Sequence, residues 1–184
     1  MKARVFLVTG GARSGKSTFA QGLAESLSRE RTYIATCPVL DEELAARVAI
    51  HRRAREGRSW RTLEEERDLA GALGLAPEGV VLVDCLTLWV NNLMYDADSR
   101  GLSLTEGDMA ALAGGVVQAA RARRGDTVLV TNEVGMGIVP DNYASRLFRD
   151  LAGRCNQIVA AAADAVVFMV SGIPLWIKGD QAVG

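Results

Sequence analysis

An α/β fold, with a mostly parallel sheet covered by helices on both faces, is predicted by three features of the 184-residue sequence. Short apolar runs, most of them rich in valine, alternate with helical stretches. The runs lack the polar alternate positions of a strand wetted on one face, so both faces are expected to be buried. The first run also opens directly into a glycine-rich loop that leads into a helix.

Taken in order, Val5–Thr9 is the first strand, and the helix after the glycine-rich turn runs from about Lys16 to Ser28. The basic start and apolar run of MKARVFLVTGG have the outline of a signal peptide but no A-x-A-like cleavage site, so a buried strand is expected. Thr32–Thr36 reads as the second strand. Asp41 then caps a helix reaching Arg55, with Glu42 and Glu43 at the positive end of its dipole. Val80–Asp84, just after a Pro-Glu-Gly turn, is a buried strand. Glu106–Arg123 is a helix weakened by Gly114 and Gly115, Thr127–Thr131 a strand, Tyr143–Ala163 a long helix, and Val166–Ser171 closes the series. No internal repeat or long linker interrupts the pattern, and one domain over residues 1–184 is expected.

Composition narrows the function. Hydrophobic residues make up 49% of the chain, enough for a real core. The net charge of -1 gives no broad footprint for nucleic acid or anionic membrane, so neither is expected as a partner. The apolar stretch from Ile158 to Ile177 is broken by Asp164, Gly172 and Pro174, whereas a membrane span needs ~20 mostly apolar residues. Cys37, Cys85 and Cys155 form no C-x-x-C pair, which suggests reduced structural thiols and a cytoplasmic protein. A single histidine leaves too few soft ligands for zinc.

Gly10, Gly11, Ala12, Arg13, Ser14, Gly15, Lys16 and Ser17 match G-x-x-x-x-G-K-[ST] in full, between a predicted strand and a predicted helix. Glycines let backbone N–H groups turn inward as an anion nest, and the helix N-terminus adds partial positive charge. Lys16 is placed to reach the β- and γ-phosphates of a nucleoside triphosphate, and the Ser17 hydroxyl to ligate Mg²⁺. Asp84, ending an apolar strand, supplies the matching acid for Mg²⁺, directly or through water.

His51 lies in the predicted helix 41–55, on one face with Leu44 and Val48, with Arg47 and Arg55 four residues to either side and Arg52 adjacent. A cationic setting disfavours the imidazolium and keeps the ring neutral, the nucleophilic form. The arginines would also attract a triphosphate and stabilise charge developing on phosphorus. These residues by themselves leave two readings open, a histidine that attacks phosphorus and a solvated basic helix.

Six ordered segments resemble the bifunctional adenosylcobinamide kinase / adenosylcobinamide-phosphate guanylyltransferase family of cobalamin biosynthesis: VTGGARSGKS at 8–17, YIAT at 33–36, AARVAIHRR at 45–53, WRTLE at 60–64, VDCLTLWVNNL at 83–93 and VTNEVGMGIVP at 130–140. The resemblance implies a phosphate-loop NTPase fold of RecA-like type, often assembled as a trimer, and a two-step enzyme. ATP or GTP would phosphorylate the aminopropanol hydroxyl of adenosylcobinamide. The family's guanylylated histidine, which falls on His51, would then attack the α-phosphate of GTP, and adenosylcobinamide phosphate would take GMP from it to give adenosylcobinamide-GDP. The nucleotide-contacting positions implied are Gly10–Ser17, Ala35, Thr36, Cys37, Arg52, Arg53, Ala54, Arg55, Glu64 and Asp84. Cys37 stands where relatives often carry a small residue.

Glu133 admits two readings, positioning the cobinamide hydroxyl or magnesium water, or bracing the loop Gly135–Pro140. Trp89 is expected in the core, Trp60 and Trp176 are open between core and ring stacking, and Asn91 and Asn92 read as a helix-end or turn feature. Two other functions stay in view. One is a different small-molecule kinase without nucleotidyl transfer. The other is a GTP-dependent switch, which TNEVG at 131–135 disfavours because it lacks N-K-x-D.

Overall fold

The computed structural model describes residues 3–38, 48–50, 52, 53 and 55–179. Their strands are β1 (Val5–Gly10), β2 (Arg31–Ala35), β3 (Trp60–Glu64), β4 (Val80–Asp84), β5 (Thr127–Val130), β6 (Ala165–Val170) and β7 (Ile173–Lys178). The helices are α1 (Lys16–Leu27), α2 (Leu69–Leu75), α3 (Leu86–Ser99), α4 (Glu106–Ala122) and α5 (Tyr143–Ala162). The strands form one seven-stranded sheet in the order β3-β2-β4-β5-β1-β6-β7. All neighbours are parallel except β7, which returns antiparallel to β6. A mostly parallel sheet with helices on both faces is therefore what the chain forms.

The apolar strands split their side chains between two cores, as the two-residue period of a strand requires. Val5, Leu7, Ile34, Val81, Val83 and Leu129 face α2, α3, α4 and α5. Phe6, Val8, Tyr33, Leu82, Val128 and Val130 face the other way, onto Ala20, Leu23 and Ala24 of α1. Helix α4 starts on a capping box, in which Thr105 Oγ1 accepts from the Asp108 N–H at 3.1 Å and Asp108 Oδ2 accepts from the Thr105 N–H at 3.0 Å.

Several expectations need correction. WRTLE at 60–64 is an edge strand with four of its five residues exposed, so it carries no buried apolar run to announce it. Helices α2, at 69–75, and α3, at 86–99, stand where no helix was expected. Asn92 is accordingly inside α3, buried, and donates through Nδ2 to Thr36 O at 2.8 Å and Glu66 O at 3.1 Å. The strand near 166–171 does not close the series, because Ser171 and Gly172 turn the chain back into β7. The predicted helix 41–55 lies largely outside the described residues; positions 48–50, 52, 53 and 55 are helical.

Candidate active site

The phosphate loop leaves β1 at Gly10 and enters α1 at Lys16. Gly10 has φ +148°, and a Cβ there would stand 2.5 Å from Met169 O on the neighbouring β6, so glycine alone fits this close strand approach. Gly15, the residue before α1, has φ +91°. Ser14 accepts through its carbonyl from the Gly172 N–H at 3.0 Å, which ties the loop to the β6–β7 turn. Lys16 folds back over the loop, donating to Gly11 O at 2.5 Å and lying 3.5 Å from Ser14 Oγ. Burial pulls its ammonium below the usual lysine range, opposed by the Cys85 and Asp84 side chains.

Register explains how residues far apart in sequence meet. Val8 pairs with Val130, Val130 with Asp84, Asp84 with Ala35, and Ala35 with Glu64. Paired positions in a sheet project from the same face, so Asp84, Ala35 and Glu64 form a row on the α1 side. This row borders a cleft of about 300 Å³ lined also by Ser17, Tyr33, Cys37, Arg52, Arg55 and Asn132. The cleft lies at the carboxyl ends of the strands, where open α/β sheets bind ligands.

Arg52 and Glu64 form an ion pair across the rim. Arg55 is only 6% exposed and stacks on the Tyr33 ring, its Cζ 3.5 Å from the centroid. The Tyr33 hydroxyl donates to Asp84 Oδ2 at 3.1 Å, and burial followed by the Asp84 charge pushes this phenol well above the usual tyrosine range. It stays a neutral donor.

Of the residues singled out from sequence, the cleft brings together Ser17, Ala35, Cys37, Arg52, Arg55, Glu64 and Asp84, with Lys16 in the adjoining loop. Arg53 is exposed and does not line it. Thr36 alternates to the opposite face, fully buried; its Oγ1 accepts from the Cys85 N–H at 2.7 Å and donates to Cys85 O at 2.8 Å, fastening β2 to β4. His51 and Ala54 lie outside the described residues. Glu133 braces its loop, accepting from the Gly135 N–H at 3.3 Å, while its own N–H donates to Gly10 O at 3.0 Å. All three tryptophans pack internally: Trp89 is 1% exposed, Trp60 meets Tyr33 edge-on, and Trp176 meets Phe19 edge-on. Tyr33 and Asn132, both at the cleft, were not singled out; they lie within the YIAT and VTNEVGMGIVP segments, which were the available signal.

Phosphate loop, strand order and acidic row define a phosphate-loop nucleotide-binding protein of RecA-like architecture. The family model described as cobinamide kinase / cobinamide phosphate guanyltransferase matches residues 6–177, and the chain belongs to this family. It is 43% identical over 182 residues to the bifunctional adenosylcobalamin biosynthesis protein CobU of Escherichia coli K12, covering 95% of this chain and 99% of that one. It is 41% identical over 176 residues to the bifunctional adenosylcobalamin biosynthesis protein CobP of Pseudomonas aeruginosa PAO1, covering 95% and 97%. Among solved structures, an ATP synthase subunit, NeqB from Nanoarcheaum equitans, matches with a TM-score of 0.59 at 11% identity, over 91% of this chain and 45% of that one. An ATPase of a type III secretion system of pathogenic bacteria matches at 0.56 and 13%, over 91% and 51%. The chain thus spans about half of each of these two structures, and the likeness concerns the fold. Among the described residues, no helix is long and apolar enough to cross a membrane.

Proposed function

We propose that one cleft carries out two successive reactions, phosphorylation of adenosylcobinamide by ATP or GTP and then transfer of GMP from GTP through His51. The observation that carries this reading is the convergence of Ser17, Asp84, Arg52, Arg55 and Glu64 on a single cleft beside Lys16, in a chain of this family. In the first reaction Lys16 and the loop N–H groups take the charge of the transferred phosphate while the substrate hydroxyl attacks the γ-phosphorus. In the second, a neutral His51 nitrogen attacks the α-phosphorus, the bond to the β-phosphate oxygen breaks, and pyrophosphate leaves. A phosphate oxygen of adenosylcobinamide phosphate then displaces the imidazole, giving adenosylcobinamide-GDP and free His51.

Ser17 and Asp84 are hard oxygen donors on the same cleft, which suits Mg²⁺ that keeps waters and phosphates as its other ligands. When bound, Mg²⁺ supplies neutralisation of phosphate charge. Arg52, held by Glu64, and Arg55 serve the same end from the same cleft.

The test is incubation with GTP labelled at the α-phosphate, then denaturation and peptide mapping. An acid-labile label on the His51 peptide is expected, lost in His51→Ala while phosphorylation of adenosylcobinamide continues. An active enzyme that never acquires label would exclude the histidine intermediate and leave a plain kinase. Assembly as a trimer belongs to the same reading and is checked by sedimentation equilibrium.

A further inference from the structure

Arg55 stands out among the cationic side chains of the cleft. It is only 6% exposed, yet among the described residues its Nε and Nη1 have no hydrogen-bond partner. Buried guanidinium donors are ordinarily satisfied, and a planar guanidinium that lines the cleft suits the oxygens of a phosphate. What holds Arg55 in that state is Tyr33, whose ring face carries the cation at 3.5 Å. The ring is itself fixed on two sides. Its hydroxyl is tied to Asp84 Oδ2, and Trp60 meets it edge-on at 6.2 Å, with the Trp60 Nε1 donating to Glu25 Oε1 at 3.1 Å.

We propose that Tyr33 is a positioning residue for guanylyl transfer: its ring face holds the Arg55 guanidinium at the cleft for the phosphate that is attacked, while its hydroxyl keeps the ring in line with Asp84. The proposal rests on the guanylyl-histidine reading above. It assigns the attacked phosphate because Arg55 follows His51 by four residues, the spacing of neighbours on one helix face. Stacking on a ring accomplishes what an acidic partner would not. A carboxylate would occupy the guanidinium N–H groups and compete with the nucleotide, whereas a π face holds the cation without claiming them.

A double-variant cycle read by GTP affinity and by the single-turnover rate of guanylyl-enzyme formation tests this. Tyr33→Leu and Arg55→Met are each expected to slow adduct formation by about tenfold or more, in line with loss of one donor to developing charge. The combined variant should fall no further than about twofold below Arg55→Met, because Tyr33 acts through Arg55. Tyr33→Phe, which keeps the ring and gives up only the Asp84 hydrogen bond, should recover most of the rate lost in Tyr33→Leu. Arg55→Lys leaves the strand untouched and keeps the charge but not the planar stack, and a loss of at least about fivefold is expected. Losses that multiply in the double variant, a Tyr33→Phe as slow as Tyr33→Leu, or an Arg55→Lys as fast as the unmodified enzyme would each overturn the role of Tyr33. An unmodified enzyme that forms no adduct would instead overturn the guanylyl-histidine reading, and this proposal with it.

Discussion

Cys37 differs from the other two thiols by its surroundings. Burial pushes Cys85 and Cys155 up to about 12, so at neutral pH both are inert thiols inside the cores. Cys37 is part-exposed and borders the cleft. Brief treatment of the folded protein with iodoacetamide at pH 8, followed by peptide mass analysis, should therefore modify Cys37 alone, and saturating GTP should protect it. Modification of Cys85 or Cys155 at a comparable rate would contradict the burial argument. At this scale the phosphate loop was legible in sequence because each position answers to a local rule. Thr36 was not, since its direction depends on strand alternation: one residue from Ala35, it projects away from the cleft and clamps Cys85. Tyr33 was hidden for a related reason. Nothing in a tyrosine within a buried strand says that an arginine from a distant helix will rest on its face.

Among the elements, α4 offers the clearest test of a cap. Thr105→Ala removes the acceptor for the Asp108 N–H and should cost about 1 kcal/mol at neutral pH by urea denaturation. Hydrogen bonds from the Thr105 side chain, then from its backbone, hold the Asp108 carboxyl below its ordinary value of 3.8. A carboxyl whose folded value is depressed contributes stability above its unfolded value and loses it as pH falls through the folded one. The deficit of Thr105→Ala should accordingly shrink as pH falls below 3.8, and a deficit that stays constant to low pH would assign it to the hydroxyl alone. Helices α1, α4 and α5 and the strands buried on both faces were readable from sequence, whereas α2, despite its Asp68 cap, and α3 were not. The edge strands were not: β3 is mostly exposed, and β7 carries Ile173, Leu175 and Ile177 toward solvent while Trp176 turns inward. Edge strands have one neighbour and one wet face: β3 lacks the continuous apolar run that marks a central strand, and β7 has one but carries Pro174 within it.

For the molecule as a whole, nucleotide and fold are linked. A ligand that binds only the folded state at about 100 times its Kd stabilises by about 2.7 kcal/mol. At roughly 2–4 °C per kcal/mol for a chain of this size, GTP should raise Tm by about 5–10 °C in a thermal melt. Lys16→Ala should keep the unliganded Tm within a few degrees and abolish the GTP shift; an undiminished shift would place the triphosphate elsewhere. The class of fold was legible because alternation is a property of the sequence, but strand order and register are not local. The row Asp84, Ala35 and Glu64 exists only once β2 lies between β3 and β4. The bond from the Gly172 N–H to Ser14 O has a further consequence, in the time order of synthesis. Chains emerge N-terminus first, so the phosphate loop is made early and its brace in the β6–β7 turn arrives late. Strand β1 likewise waits for both of its partners, β5 and β6. A growing chain therefore carries an apolar strand with two open edges through most of translation, and the ability to hold a triphosphate appears only near the end, as a signal that the sheet has closed.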